Sequence, residues 1–215
     1  MSEEAGRSTA YMETRLRRLL TELAEAGRRH DTQEQEHSRK MLNLEPATAR
    51  LLSMLVRSSR RTRLLEIGTS NGYSTIWLAW ATHPMGGHVT SIEREAHKLS
   101  LADGNLRQAG LREVVDLIHG DATQVVATLA GPFDCVFFDA DRKSAPSQLA
   151  LLLPKLTAEV FLLADNALSH PQEIAAYLAA VQALPQFEHL IIPIGKGLSI
   201  AYRPTDNASL LGGTQ

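Results

Sequence analysis

Residues 64–81 read LLEIGTSNGYSTIWLAWA, and the fold turns on how that stretch is parsed. An apolar run carrying one acid, Glu66, leads into Gly68 and Gly72, and a helical pattern follows them. The reading is a strand, a tight turn and a helix start. Gly68 gives the turn access to positive φ or lets a ligand approach the backbone, and Gly72 keeps bulk away from the first helical turn. Backbone N–H groups left free there face whatever binds. An ordinary strand-to-helix connection would explain the glycines but would leave the acid at 66 without a purpose. The stretch is therefore read as a cofactor site.

The spacing then bears on which cofactor. A dinucleotide fingerprint, G-x-G-x-x-G, needs its middle glycine so that pyrophosphate can sit against the helix N-terminus. Here Ser70 holds that place and Tyr73 the third. Pyrophosphate would be poorly served, whereas a ligand with an ammonium and a carboxylate beside a nucleoside could use the turn amides and Glu66.

Working outward, the 215 residues, 44% of them hydrophobic, suit a single domain. The net charge is −2 with signs interspersed, which offers nucleic acid or an anionic membrane no field to follow. No run approaches the roughly 20 apolar residues of a membrane span, and the opening MSEEAGRSTA lacks the apolar core of a signal peptide, so a cytoplasmic protein is expected. Cys135 is the one cysteine, and its apolar setting FDCVFF marks it as a buried structural thiol.

Residues 8–26 place Tyr11, Leu16, Leu19, Leu20 and Leu23 at helical spacing, with Gly27 as the expected stop. That stripe has no evident place in an alternating core, so a homodimer contact is expected there. The polar segment 30–40 is read as a surface or lid helix; its His30 and His37 lack the third ligand that a metal site would need. A helix starting near Pro46 should bury Ala49, Leu52, Leu55 and Val56. From residue 61 strands and helices alternate, with strands in HVTSI, VVDLIHGDA, FDCVFFDAD, EVFLLADNA, FEHLIIPI and GLSIAYR. Alternation argues for a parallel sheet covered on both faces. The helix after HVTSI should bury Ala96, Leu99, Leu106 and Ala109 and stop at Gly110. Gly195, Lys196 and Gly197 are too short a link for a parallel crossover, so the last two strands form an antiparallel hairpin. The expected organisation is one domain: an N-terminal helical lid or dimer segment at 1–60, the core at 61–203, and a disordered tail at 204–215.

Ligands of such sheets lie beyond the carboxyl ends of the strands, and the acids Glu66, Glu93, Asp121, Asp139 and Asp165 sit there. Asp139, Asp165 and Asn166 each follow a strongly apolar strand, where clustered acids need a positive partner. Two anionic oxygens and an amide oxygen suit a hard divalent cation such as magnesium, manganese or calcium; the bland alternative is that all three cap the following turns. Asp121 is open to the same alternative. Asp141 receives no role, and His170, before Pro171, is read as a local cap.

EIGTSNGYST together with FFDAD and LADN resembles the class I S-adenosylmethionine-dependent methyltransferases, and more narrowly the metal-dependent O-methyltransferases of the catechol and caffeoyl-CoA type. The resemblance runs from about Met41 to Arg203. It implies a Rossmann-like, seven-stranded, mostly parallel α/β sheet with a C-terminal antiparallel hairpin, and it also points to a homodimer. For S-adenosylmethionine it implies contacts from Glu66, Gly68, Ser70, Gly72, Tyr73, Ser74 and Asp139, with Glu93 on the ribose hydroxyls and Asp121 and Ala122 beside the adenine. It makes Asp139, Asp165 and Asn166 the metal ligands. The implied reaction moves a methyl group to a hydroxyl of a small catechol-like or phenolic substrate, with Tyr73 and Trp77 as candidate walls. The family usually has lysine at the third position after the first metal aspartate; here Arg142 stands there, and Lys143 follows it. Arginine stays protonated, so Arg142 is expected to contribute fixed charge and Lys143 little. A nicotinamide-dependent dehydrogenase would share the fold and Glu93, and a non-enzymatic S-adenosylmethionine-binding regulator would need no metal.

Overall fold

The computed structural model describes residues 2–205, with side chains from residue 14 onward. The side chain of Tyr11 and the tail from 206 lie outside the described residues. The elements are α1 (Ser2–Gln33), α2 (Pro46–Ser58), β1 (Arg63–Ile67), α3 (Tyr73–Thr82), β2 (His88–Glu93), α4 (Ala96–Ala109), β3 (Val115–His119), α5 (Ala122–Thr128), β4 (Phe133–Phe138), α6 (Ala145–Leu152), β5 (Leu156–Ala164), α7 (Pro171–Gln182), β6 (Glu188–Ile192) and β7 (Leu198–Arg203). They build one seven-stranded sheet in the order β3-β2-β1-β4-β5-β7-β6. The first five strands in that order are parallel, whereas β7 runs antiparallel to both β5 and β6. This is the mostly parallel sheet and terminal hairpin expected from the alternation and the short last link, in the Rossmann-like form that the resemblance implied.

Period-two alternation sorts the core. Leu64, Val89, Cys135, Phe137 and Leu163 point to one face, where they meet α1 to α4; Leu65, Ile67, Val136, Phe138 and Leu162 point to the other, where they meet α5 to α7. Burial pushes the Cys135 thiol up to about 12, which makes it an inert core residue.

Several expectations need correction. Gly27 does not stop α1. A Cβ there would lie 2.4 Å from Asn43 Nδ2, which donates to the Leu23 carbonyl at 3.1 Å, so the glycine makes room for a crossing chain. The leucine stripe is not left over either: Leu16 and Leu20 are buried in the chain's own core beside α2 and α3, and Leu19 is also buried. Burial on this scale contributes roughly 2 kcal/mol for each leucine. Residues 30–40 form the end of α1 and one 3-10 turn, His37–Arg39, rather than a helix of their own. In α4 the buried positions are Lys98, Ala102 and Leu106, while Ala96 is exposed. Trp77 packs edge-on against Trp80 at 6.0 Å, is half-buried against the core cluster, and does not line the cavity. No helix among the described residues is long and apolar enough to cross a membrane.

Candidate active site

A cavity of about 660 Å³ opens beyond the carboxyl ends of β1 to β5, and the rim at residues 37–44 closes one side of it. The turn after β1 forms its floor. Gly68 has φ +105°, and a Cβ there would meet the Asp139 carbonyl at 2.3 Å. The ends of β1 and β4 are tied at this point by the Asp139 N–H, which donates to the Ile67 carbonyl at 2.9 Å. Only glycine fits both the backbone angle and the space. Ser70 sits at φ +47°, a conformation costly for a serine, and is held from two sides. Its N–H donates to Glu93 at 2.8 Å and its hydroxyl to the Met41 carbonyl at 2.6 Å. Glu93 also accepts from the Glu95 N–H at 2.8 Å, so both its oxygens are aimed before any ligand arrives.

Gly68, Ser70, Tyr73, Ser74 and Glu93 line the cavity. Gly72 caps α3 and backs onto Ala102, off the cavity surface. Glu66 is also off it. Fully buried, it accepts hydrogen bonds from Ser74 at 2.6 Å, from Ser91 at 2.6 Å and from Thr75. Desolvation pushes its carboxyl up to about 7 despite those three donors. The acid that seemed to wait for a ligand thus braces the turn from beneath. Ser74 and Thr75, two hydroxyls in an otherwise apolar helix, were the signal.

Asp121 and Ala122 face the cavity as well, and Asp121 caps α5 by accepting from the Gln124 N–H at 3.1 Å. The cap and the cavity wall are one residue. Gln148 of α6, not singled out in the sequence, joins this wall, with its amide on the Thr123 hydroxyl at 3.3 Å.

The other wall holds the charges. Asp139 faces the cavity; Asp165 is buried next to it, and Asn166, at φ +67°, follows. Asn166 donates to Asp165 Oδ2 at 2.9 Å and accepts from the Ser169 hydroxyl at 3.0 Å. Asp165 Oδ1 has no hydrogen-bond partner. Desolvation raises both carboxyls above their ordinary range, and the neighbouring Asp165 raises Asp139 further. Among the described residues no three His, Cys, Asp or Glu side chains cluster to hold a metal. Two carboxylates, one with an orphaned oxygen, beside an amide nevertheless fit a hard cation that takes its remaining ligands from water and substrate.

Arg142 lines the cavity and donates twice to Glu173 Oε2, at 2.9 and 2.7 Å. Lys143 also borders the cavity but its side chain is exposed. Asp141 accepts from the Ser144 hydroxyl at 2.6 Å and from the Lys143 N–H, fixing the turn before α6. His170 occupies the N-cap position of α7 without capping it; its ring meets the Ser169 hydroxyl at 2.8 Å instead. Lys196, from the β6–β7 turn, and Glu173 line the cavity and were not foreseen. The rim is anchored by main-chain contacts: Lys98 Nζ donates to the Lys40 carbonyl at 2.7 Å, and Asp31 accepts from the Met41 and Leu42 N–H groups at 2.6 and 2.8 Å.

Known proteins are similar to this chain in sequence and in fold. The catechol O-methyltransferase of Mycobacterium tuberculosis is 41% identical over 96 residues, and that of Niastella koreensis 31% identical over 129. The matched stretches cover 44% and 58% of this chain and span 43% and 58% of those two relatives. Among solved structures, the O-methyltransferase TomG from Streptomyces achromogenes, crystallised in complex with SAM, superposes with a TM-score of 0.73 at 27% identity over 86% of this chain and 89% of its own. The profile of the family described as O-methyltransferase matches residues 12–203, and the chain belongs to that family.

Proposed function

We propose that this chain transfers a methyl group from the sulfonium of S-adenosylmethionine to a hydroxyl of a small catechol-like or phenolic substrate. The observation that carries the reading is a cavity in which a turn suited to a nucleoside and amino-acid cofactor lies beside Asp139 and Asn166, with the second acid, Asp165, buried next to them and off the cavity surface. The names of the two catechol O-methyltransferase relatives support the substrate class.

In this reading the turn amides and the Ser74 hydroxyl receive the cofactor's amino-acid end, Glu93 accepts the ribose hydroxyls, and Asp121, Ala122 and Gln148 border the adenine. Tyr73 bounds the pocket, and Asp139 lies where cofactor and acceptor meet. Asp139, Asp165 and Asn166 would hold a divalent cation, magnesium or a similar ion. When bound it would supply positive charge that acidifies an acceptor hydroxyl. Arg142 adds fixed charge at the acceptor side, and Glu173 keeps its guanidinium in place. Alignment of acceptor oxygen, methyl carbon and sulfur by these walls supplies much of the rate.

Calorimetry with S-adenosylmethionine, NAD and magnesium, separately and combined, tests the reading alongside a methyl-transfer assay on catechols and flavonoids. Asp165→Ala should abolish transfer and the thermal stabilisation that magnesium gives, while S-adenosylmethionine affinity stays within about threefold, because its proposed partner is the cation. Equal loss of affinity and transfer would assign Asp165 to folding or cofactor binding, and full activity after chelation would remove the cation.

A further inference from the structure

A lysine between two glycines in a hairpin turn ordinarily projects into solvent. Lys196 is only partly exposed, with 36% of its side chain open, because its turn is fastened to the loop that carries Asp165 and Asn166. The Ala167 N–H donates to the Gly197 carbonyl at 2.9 Å, and the Leu168 and Ser169 N–H groups donate to the Lys196 carbonyl at 2.9 and 3.0 Å. Gly197 has φ +90°, and a Cβ there would lie 2.6 Å from the Leu168 nitrogen, so glycine is what lets the loops meet. The two loops form one block, which places Lys196 on the cavity wall.

Its ammonium lies 3.3 Å from Glu45 Oε1, just before α2, and its charge acts on both Asp139 and Asp165. An ammonium has three protons to donate, and the contact with Glu45 takes one. The other cations differ. Arg142 is clamped by Glu173, and Lys143 is exposed. A partly exposed ion pair adds little to stability, which leaves the precise seating of Lys196 unexplained by folding alone.

We propose that Lys196 is the cation that faces the acceptor hydroxyl and holds it as its anion, with Glu45 as the positioning residue that aims the ammonium. The proposal rests on the methyl-transfer reading. The hydroxyl gives its proton to solvent; the oxygen lone pair then forms the new O–C bond while the C–S pair returns to sulfur. Lys196 keeps its protons throughout and favours the ionised oxygen. The other charged groups around that oxygen are Asp139, Asp165, Glu45 and Arg142, with His170, Glu173 and Lys143 on the rim.

The test uses 4-nitrocatechol, whose visible absorbance reports its ionisation, bound to the full chain with S-adenosylhomocysteine and magnesium. Lys196→Met should lower the ionisation constant of the bound catechol about tenfold and displace the pH–rate profile upward, with S-adenosylhomocysteine affinity unchanged. Lys196→Arg should restore most of the ionisation, and Glu45→Gln should show part of the Lys196→Met effect. Wild-type ionisation in Lys196→Met would overturn the proposal, as would parallel losses of cofactor affinity and melting temperature in both Lys196 variants. If the wild-type chain binds no nitrocatechol, the methyl-transfer reading itself falls and this one with it.

Discussion

The two walls of the cavity are built on opposite principles. Beside β1, β2 and β3, each of the three acids already accepts from donors of the same chain: Glu93 from two amides, Asp121 from one, Glu66 from three hydroxyls. Beside β4 and β5 the acids crowd one another, Asp165 leaves an oxygen unpartnered, and the nearby cations Arg142 and Lys196 are paired with Glu173 and Glu45 instead. A satisfied wall can be rigid and wait. An unsatisfied wall gains energy when a compensating group binds.

The contrast can be broken most violently at the seam between the walls. Gly68→Ala places a Cβ against the Asp139 carbonyl at an unfavourable φ. It should cost on the order of 3 kcal/mol or more in urea denaturation, and whatever folds should bind S-adenosylhomocysteine over a hundredfold more weakly. Wild-type values for both would show that the seam yields.

Next comes Glu66, where burial outweighs its hydroxyl donors. Its carboxyl rises from 4.5 to about 7 in the folded chain, so between those values the folded state holds a proton that the unfolded state has released. Stability therefore falls as pH rises through that window, by about 3 kcal/mol in all, and is level above it. Glu66→Gln should flatten urea midpoints measured from pH 5 to 8; an undiminished slope would place the titration elsewhere.

On the wall beside β4 and β5 the effects are smaller and fall on rate. Arg142→Met should slow methyl transfer about tenfold with little change in melting temperature. Lys143→Met, acting on an exposed side chain, should stay within about twofold. A reversed order of these two would make Lys143, not Arg142, the residue that assists the reaction.

What could be read from the sequence follows the same division. The sheet, its hairpin and the turn at 68–72 were legible because apolar periodicity and glycine spacing are local. Asp139, Asp165 and Asn166 were legible as acids and an amide after apolar strands. Glu66 was misread because its donors come from one helix turn later and from Ser91, its register partner on β2. Lys196 was passed over because Gly-Lys-Gly encodes a turn, and nothing local says that the turn docks on another loop. Gly27 failed as a stop for a like reason, since the residue needing its space is Asn43, on another segment.

The rim has an evolutionary corollary. Its fasteners, Lys98, Asp31 and the Ser70 hydroxyl, grip main-chain atoms of residues 40–42, which every amino acid but proline supplies in full. The side chains of Met41 and Leu42, which border the cavity, are therefore released from any duty of attachment. A lineage can exchange Met41 without loosening the mouth, whereas Leu42, at φ +52°, gives way most cheaply to glycine or asparagine, so variation at the rim should concentrate at position 41.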